Sequence, residues 1–99
     1  MTTLLVTYPS RDNATFDVAY YLAEHMPLVR AQWTQYGLTS AKALIPQEPT
    51  PAYAAVAVLE FTDDAALDTA LGSPEAKLVF DDVARFTDIA SVALRCEAR

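Results

Sequence analysis

The sequence predicts an α+β domain with the element order β-α-β-β-α-β. This is one four-stranded antiparallel sheet with both helices on a single face. Three observations predict it. Four short apolar stretches read as strands, and two amphipathic helical stretches follow the first and third of them. At 99 residues, of which 53% are hydrophobic and 20% charged, the chain suits one compact globular domain. No repeat, linker or low-complexity tract divides it, so residues 1–99 are taken as a single domain.

Leu4 to Tyr8 is apolar and partly β-branched, and Pro9, Ser10 and Arg11 close it as a turn. Asp12 or Asn13 offers a side-chain oxygen to cap a helix running from Thr15 to about Gln35. Phe16, Ala19, Tyr20, Ala23 and Met26 fall on one face of that helix at 3.6-residue spacing and form its expected core stripe. Pro27 interrupts it, because proline has no N–H for the Ala23 carbonyl and its ring crowds that oxygen. Gly37 suits the left-handed residue just past the helix end.

Thr39 to Ile45 reads as a second strand. Pro46, Pro49 and Pro51 then hold residues 46–51 as a loop. Tyr53 to Phe61 is the clearest strand. Thr62 is placed to cap the second helix, with Asp63 and Asp64 in the first turn where negative charge is favourable. Gly72 breaks that helix, and Ser73-Pro74-Glu75 restarts it. Val79, Val83 and Phe86 give the restarted segment its buried stripe, and Ser91 to Glu97 is the last strand.

A sheet covered on one side should alternate apolar with polar residues. This one does not. Tyr53, Ala55, Ala57, Leu59 and Phe61 point one way, and Ala54, Val56 and Val58 the other. Leu4, Val6 and Tyr8 similarly oppose Leu5 and Thr7. Two helices cover one face only, so a second copy is expected on the other, as a homodimer.

Composition narrows the partners. Thirteen acids against seven bases leave a net charge of −6. The scattered Lys and Arg argue against nucleic acid and against an anionic membrane surface. No apolar run approaches the ~20 residues that span a bilayer. Met1 to Val6 is too short for a secretory signal, so a cytoplasmic location is expected. Cys96, the single cysteine, excludes an internal disulfide and a multi-thiolate metal site. It reads as a small buried hydrophobe. Two glycines cannot build a glycine-rich phosphate loop. Neither a metal nor a cofactor is expected. Asp63-Asp64 and Asp81-Asp82 are adjacent on helices, where neighbours point apart, and read as solvated faces.

One residue stands out for chemistry. His25 is the only histidine, and its side chain alone titrates near neutrality when unperturbed. Tyr21, His25, Leu28 and Gln32 align along a stripe opposite the core stripe. A bend at Pro27 can turn the imidazole toward a cavity, which makes His25 the candidate catalytic residue; the other reading is an exposed or capping histidine at a helix kink. Tyr8, Tyr21 and Trp33 are the candidate substrate-binding residues for a flat, mostly apolar or aromatic metabolite with a few oxygens.

Phe16-Asp17, Tyr21 and His25-Met26-Pro27-Leu28 form an F-D-x(3)-Y-x(3)-H-x-P-L stretch that resembles the EthD family. Tyr8-Pro9 before it and Asp82-x-x-x-Phe86 after it fit the same pattern, as does Gly37. The resemblance runs over essentially the whole chain. It implies a ferredoxin-like fold assembled as a dimeric α/β barrel, and a part in the breakdown or tailoring of small organic compounds. EthD takes its name from an ether-degradation cluster, where it accompanies an oxygenase system. Similar barrels include cofactor-free isomerases of muconolactones and decarboxylases or cyclases of polyketide-like aromatics. The matching histidine of some is an acid–base residue, a role that only His25 can inherit here. No second acid–base residue carries across.

The expected function is thus binding of an apolar oxygenated metabolite in a helix–sheet cleft. Neutral His25 would move a proton in an isomerisation or decarboxylation, and Tyr21 would donate to developing oxyanion charge. The alternative is a non-catalytic accessory subunit that delivers a ligand to an oxygenase. A cofactor-free monooxygenase is a weaker third reading, and haem binding a remoter one.

Overall fold

The computed structural model describes residues 1–97 and 99. Strands β1 (Thr2–Pro9), β2 (Leu38–Leu44), β3 (Tyr53–Phe61) and β4 (Val92–Glu97) form one sheet in the order β2-β3-β1-β4. Every pairing is antiparallel, with Leu4 opposite Leu59 and Arg95, and Ala41 opposite Leu59. The helical segments are α1 (Val18–Tyr20), a π-helical turn (Tyr21–His25), α2 (Met26–Trp33), α3 (Asp64–Leu71) and α4 (Pro74–Asp82). They pack on one face of the sheet, as the β-α-β-β-α-β order requires. This is the ferredoxin-like fold. No helix among the described residues is long and apolar enough to cross a membrane.

The core lies between this face and the helices. Leu4, Tyr8, Ala55, Ala57, Leu59 and Phe61 supply the sheet side, and Val29, Trp33, Leu67 and Val79 the helix side, all buried. The small alanines of β3 leave room for the large rings above them, so volume is conserved across the layer. Gly37, at φ +105°, turns the chain out of α2 and its short 3₁₀ extension, Thr34–Tyr36, into β2.

Three local expectations are revised. Asp17, not Asp12 or Asn13, caps the first helix by accepting from the Tyr20 N–H at 3.0 Å. Residues 11–16 are held instead as a loop, with Asn13 in the left-handed region and Phe16 bridged to Thr87. Asp63, not Thr62, caps α3, accepting from the Ala66 N–H at 2.8 Å. A carboxylate is the stronger acceptor for a helix N-terminus. The core stripe of the first helix also moves. Ala19 and Ala23 are exposed, while Tyr21, His25, Met26, Val29 and Trp33 are buried.

A π-turn adds to that shift. The Met26 N–H donates to the Tyr21 carbonyl five residues back, one residue more than in an α-helix. The extra residue rotates everything downstream by about 100°. Met26 thereby joins the face that Tyr21 and His25 occupy. Pro27, which has no N–H to continue α-helical bonding at this point, immediately follows the widened turn.

Among the described residues, none covers the opposite face of the sheet. Leu44, Val92 and Leu94 are each about half exposed, at 53%, 49% and 50%. Leu94 lies beside Leu5 and Leu5 beside Val58, so these strands share an apolar band, which Lys42 borders on β2. Cys96, expected to be buried, is half-buried on β4.

Candidate functional site

The helix–sheet interface encloses a cavity of about 100 Å³. Tyr8, at the end of β1, contributes to its floor, and His25, Met26, Val29 and Trp33 contribute from the helix layer. Phe80, Ser91 and Ala93 are lining residues that also reach the surface, and they mark its mouth toward α4 and β4. The lining is apolar apart from a few groups, the imidazole foremost.

Each candidate site residue has a definite place. His25, Tyr8 and Trp33 meet around the cavity. Tyr21 does not line it. Fully buried, Tyr21 stacks on the His25 ring with centroids 5.8 Å apart and planes 17° off parallel. Phe86 closes on the imidazole at 4.7 Å, and contacts Tyr8 at 5.7 Å and Tyr21 at 5.1 Å. Phe16 completes this cluster against Tyr8 and Tyr21. The F-D-x(3)-Y-x(3)-H and D-x(3)-F elements, distant in sequence, therefore meet as one aromatic wall around the histidine.

His25 is 4% exposed. Its Nδ1 stands 3.0 Å from Oδ2 of Asp82, at the end of α4. The Tyr20 hydroxyl donates to Oδ1 of the same carboxylate at 2.7 Å, and Arg85 Nε lies 3.8 Å from that oxygen. Asp82 had no assigned role and read as part of a solvated pair. Only Asp81 fits that reading: it is exposed and pairs with Lys77 one turn away, whereas the Asp82 side chain is 12% exposed. The D-x(3)-F spacing was the signal that could have singled it out.

Burial holds the His25 pKa below its ordinary 6.5, although Asp82 opposes the shift. The imidazole is thus neutral near pH 7, as a proton acceptor must be. Burial alone would raise the Asp82 carboxyl, but its bonds with His25 and Tyr20 hold it below the usual 3.8. Burial pushes the Tyr21 phenol up to about 12. It pushes the Tyr8 phenol further, with Tyr21 adding to the effect. Both tyrosines stay protonated and able to donate. The hydroxyl of Tyr21 and the indole N–H of Trp33 are buried without a partner among the described residues. Among the described residues, no group of three or more His, Cys, Asp or Glu gathers to hold a metal ion.

Fold and site together define a ferredoxin-like domain with an apolar helix–sheet cavity and a buried histidine in its wall. Within that class the chain is similar to EthD-like proteins. An EthD-like protein from Ralstonia eutropha JMP134 superposes with a TM-score of 0.83 at 27% identity, over 97% of this chain and 89% of that one. An ethyl tert-butyl ether D (EthD) family protein from Bacillus halodurans C-125 matches at 0.78 and 20% identity, covering 100% and 99%. A dimeric ferredoxin-like protein of unknown function from Jannaschia sp. CCS1 matches at 0.70 and 19% identity, covering 98% of each chain. No protein-family model matches the sequence, and no curated protein matches it.

Proposed function

We propose that this protein is a homodimeric, cytoplasmic EthD-like protein that binds a small apolar, oxygenated metabolite beside His25 and moves a proton on it without a cofactor. The observation that carries this reading is the buried, neutral imidazole in the wall of an apolar cavity, backed by a carboxylate. A base in such a place is unscreened by water and needs no metal to act on a C–H next to a carbonyl. His25 takes that proton, leaving an enolate and an imidazolium, and then returns it at another carbon. In this reading Tyr8, which lines the cavity, donates to the enolate oxygen. Trp33 supplies a flat apolar wall. Tyr21, stacked behind the imidazole, holds the ring rather than the ligand.

The uncovered apolar band supports the dimer, and the Jannaschia protein that shares the fold is itself dimeric. Two bands packed face to face remove both from water.

The test is solvent-deuterium exchange at the α-carbon of cyclopentanone and of a simple butenolide, followed by proton NMR. His25→Ala should slow exchange roughly a hundredfold. Equal exchange in both proteins would remove His25 from the chemistry. Binding of these probes by the wild type without exchange would favour the accessory, ligand-holding role.

A further inference from the structure

The carboxylate behind His25 is engaged unequally at its two oxygens. Oδ1 accepts from the Tyr20 hydroxyl at 2.7 Å and faces Arg85 Nε at 3.8 Å, while among the described residues Oδ2 meets only His25 Nδ1, at 3.0 Å. Tyr20 is itself held flat against Phe86, with centroids 6.3 Å apart and planes 23° off parallel. The imidazole is clamped between Tyr21 and Phe86, which opposes a ring flip. No hydrogen bond engages Nε2 among the described residues.

We infer that Asp82, oriented by Tyr20, is a positioning residue that keeps the hydrogen of neutral His25 on Nδ1 and leaves Nε2 as the ring's lone-pair nitrogen. The argument is one of donors and acceptors. An ionised carboxylate only accepts, so a neutral imidazole facing it must present Nδ1–H. The other nitrogen is then the unprotonated one. This rests on the proposed function only for its consequence: the resting site is a base toward the ligand and not an acid. The tautomer itself stands on the geometry.

The same reasoning predicts a reversal. In Asp82→Asn the Tyr20 hydroxyl still donates to the oxygen at the Oδ1 position. The amide NH₂ must then point at Nδ1, and two donors cannot face each other. The ring proton moves to Nε2. Adding Tyr20→Phe frees the amide to turn its oxygen toward Nδ1, and the proton returns there.

The experiment is long-range ¹H–¹⁵N correlation NMR of the imidazole at about pH 8, where the ring is neutral. Wild type should show Nδ1–H, D82N should show Nε2–H, and Y20F/D82N should recover Nδ1–H. Wild type with Nε2–H, or D82N with an unchanged tautomer, overturns the inference. If D82N does not fold, the wild-type spectrum alone decides. Deuterium exchange on cyclopentanone, measured in parallel, separates the two ideas. A reversed tautomer with undiminished exchange upholds the positioning and refutes the acid–base role. Exchange lost in H25A with an unchanged tautomer in D82N does the opposite.

Discussion

Replacing Leu94 by aspartate tests the assembly most directly. Leu94 is 50% exposed in the single chain and lies in the middle of the open face of β4, beside Leu5. Fully burying a leucine contributes about 1.5–3 kcal/mol, so covering the remaining half contributes about 1 kcal/mol. Two-fold symmetry doubles that to about 2 kcal/mol per dimer, or roughly 30-fold in the dissociation constant, lost already in Leu94→Ala. Leu94→Asp adds two carboxylates that association must strip of water, at several kcal/mol each. The dimer should then separate at micromolar concentration. Sedimentation velocity of wild type should give twice the chain mass of 10.8 kDa, and L94D the single mass with an unchanged circular dichroism spectrum. Leu78→Asp is the control. Leu78 is equally exposed, at 54%, but lies on α4, away from the open face. L94D remaining dimeric, or L78D dissociating as readily, would refute the assignment of the face.

Two further predictions concern stability. Gly37→Ala should destabilise by about 2–4 kcal/mol, the sum of a left-handed backbone penalty and overpacking. The added Cβ would stand 2.7 Å from the Ala66 Cβ of α3, and a loss of unfolding free energy below about 1 kcal/mol in urea titration would contradict this. Stability should also fall as pH drops. His25 takes up a proton less readily folded than unfolded, so its contribution is complete above the ordinary 6.5 and is lost as pH falls through the lower folded value. Asp82 is held below 3.8, so its contribution disappears at still lower pH. Urea midpoints measured down the pH scale should show both steps, with the upper one missing in His25→Gln. A rise in stability on acidification from about pH 8 to about pH 5 would reverse the sign and refute the burial argument.

Local signals were legible wherever one residue controls its own backbone. Gly37 announced its positive φ, Pro74 a helix start after Ser73, and the prolines of 46–51 a loop without strand. The lack of alternation in β3, apolar on both faces, announced a sheet that the chain's own helices cover on one side only. His25 stood out by being single. Failures came where two distant segments share an atom. No periodicity along residues 78–86 distinguishes Asp82 from Asp81, because what separates them is the approach of Tyr20 and His25 from another helix.

The sequence by itself determined the order of elements, the two-faced sheet and the proline beside the only histidine, since propensity and pattern are properties of neighbours along the chain. The tertiary structure alone decided which way that histidine faces. One added residue in the turn before Pro27 brings Met26 onto the buried face that His25 already occupies. The energy that selects this turn comes from packing Tyr21, Phe86 and the carboxylate of Asp82 around a single ring, contacts between residues as many as 61 positions apart.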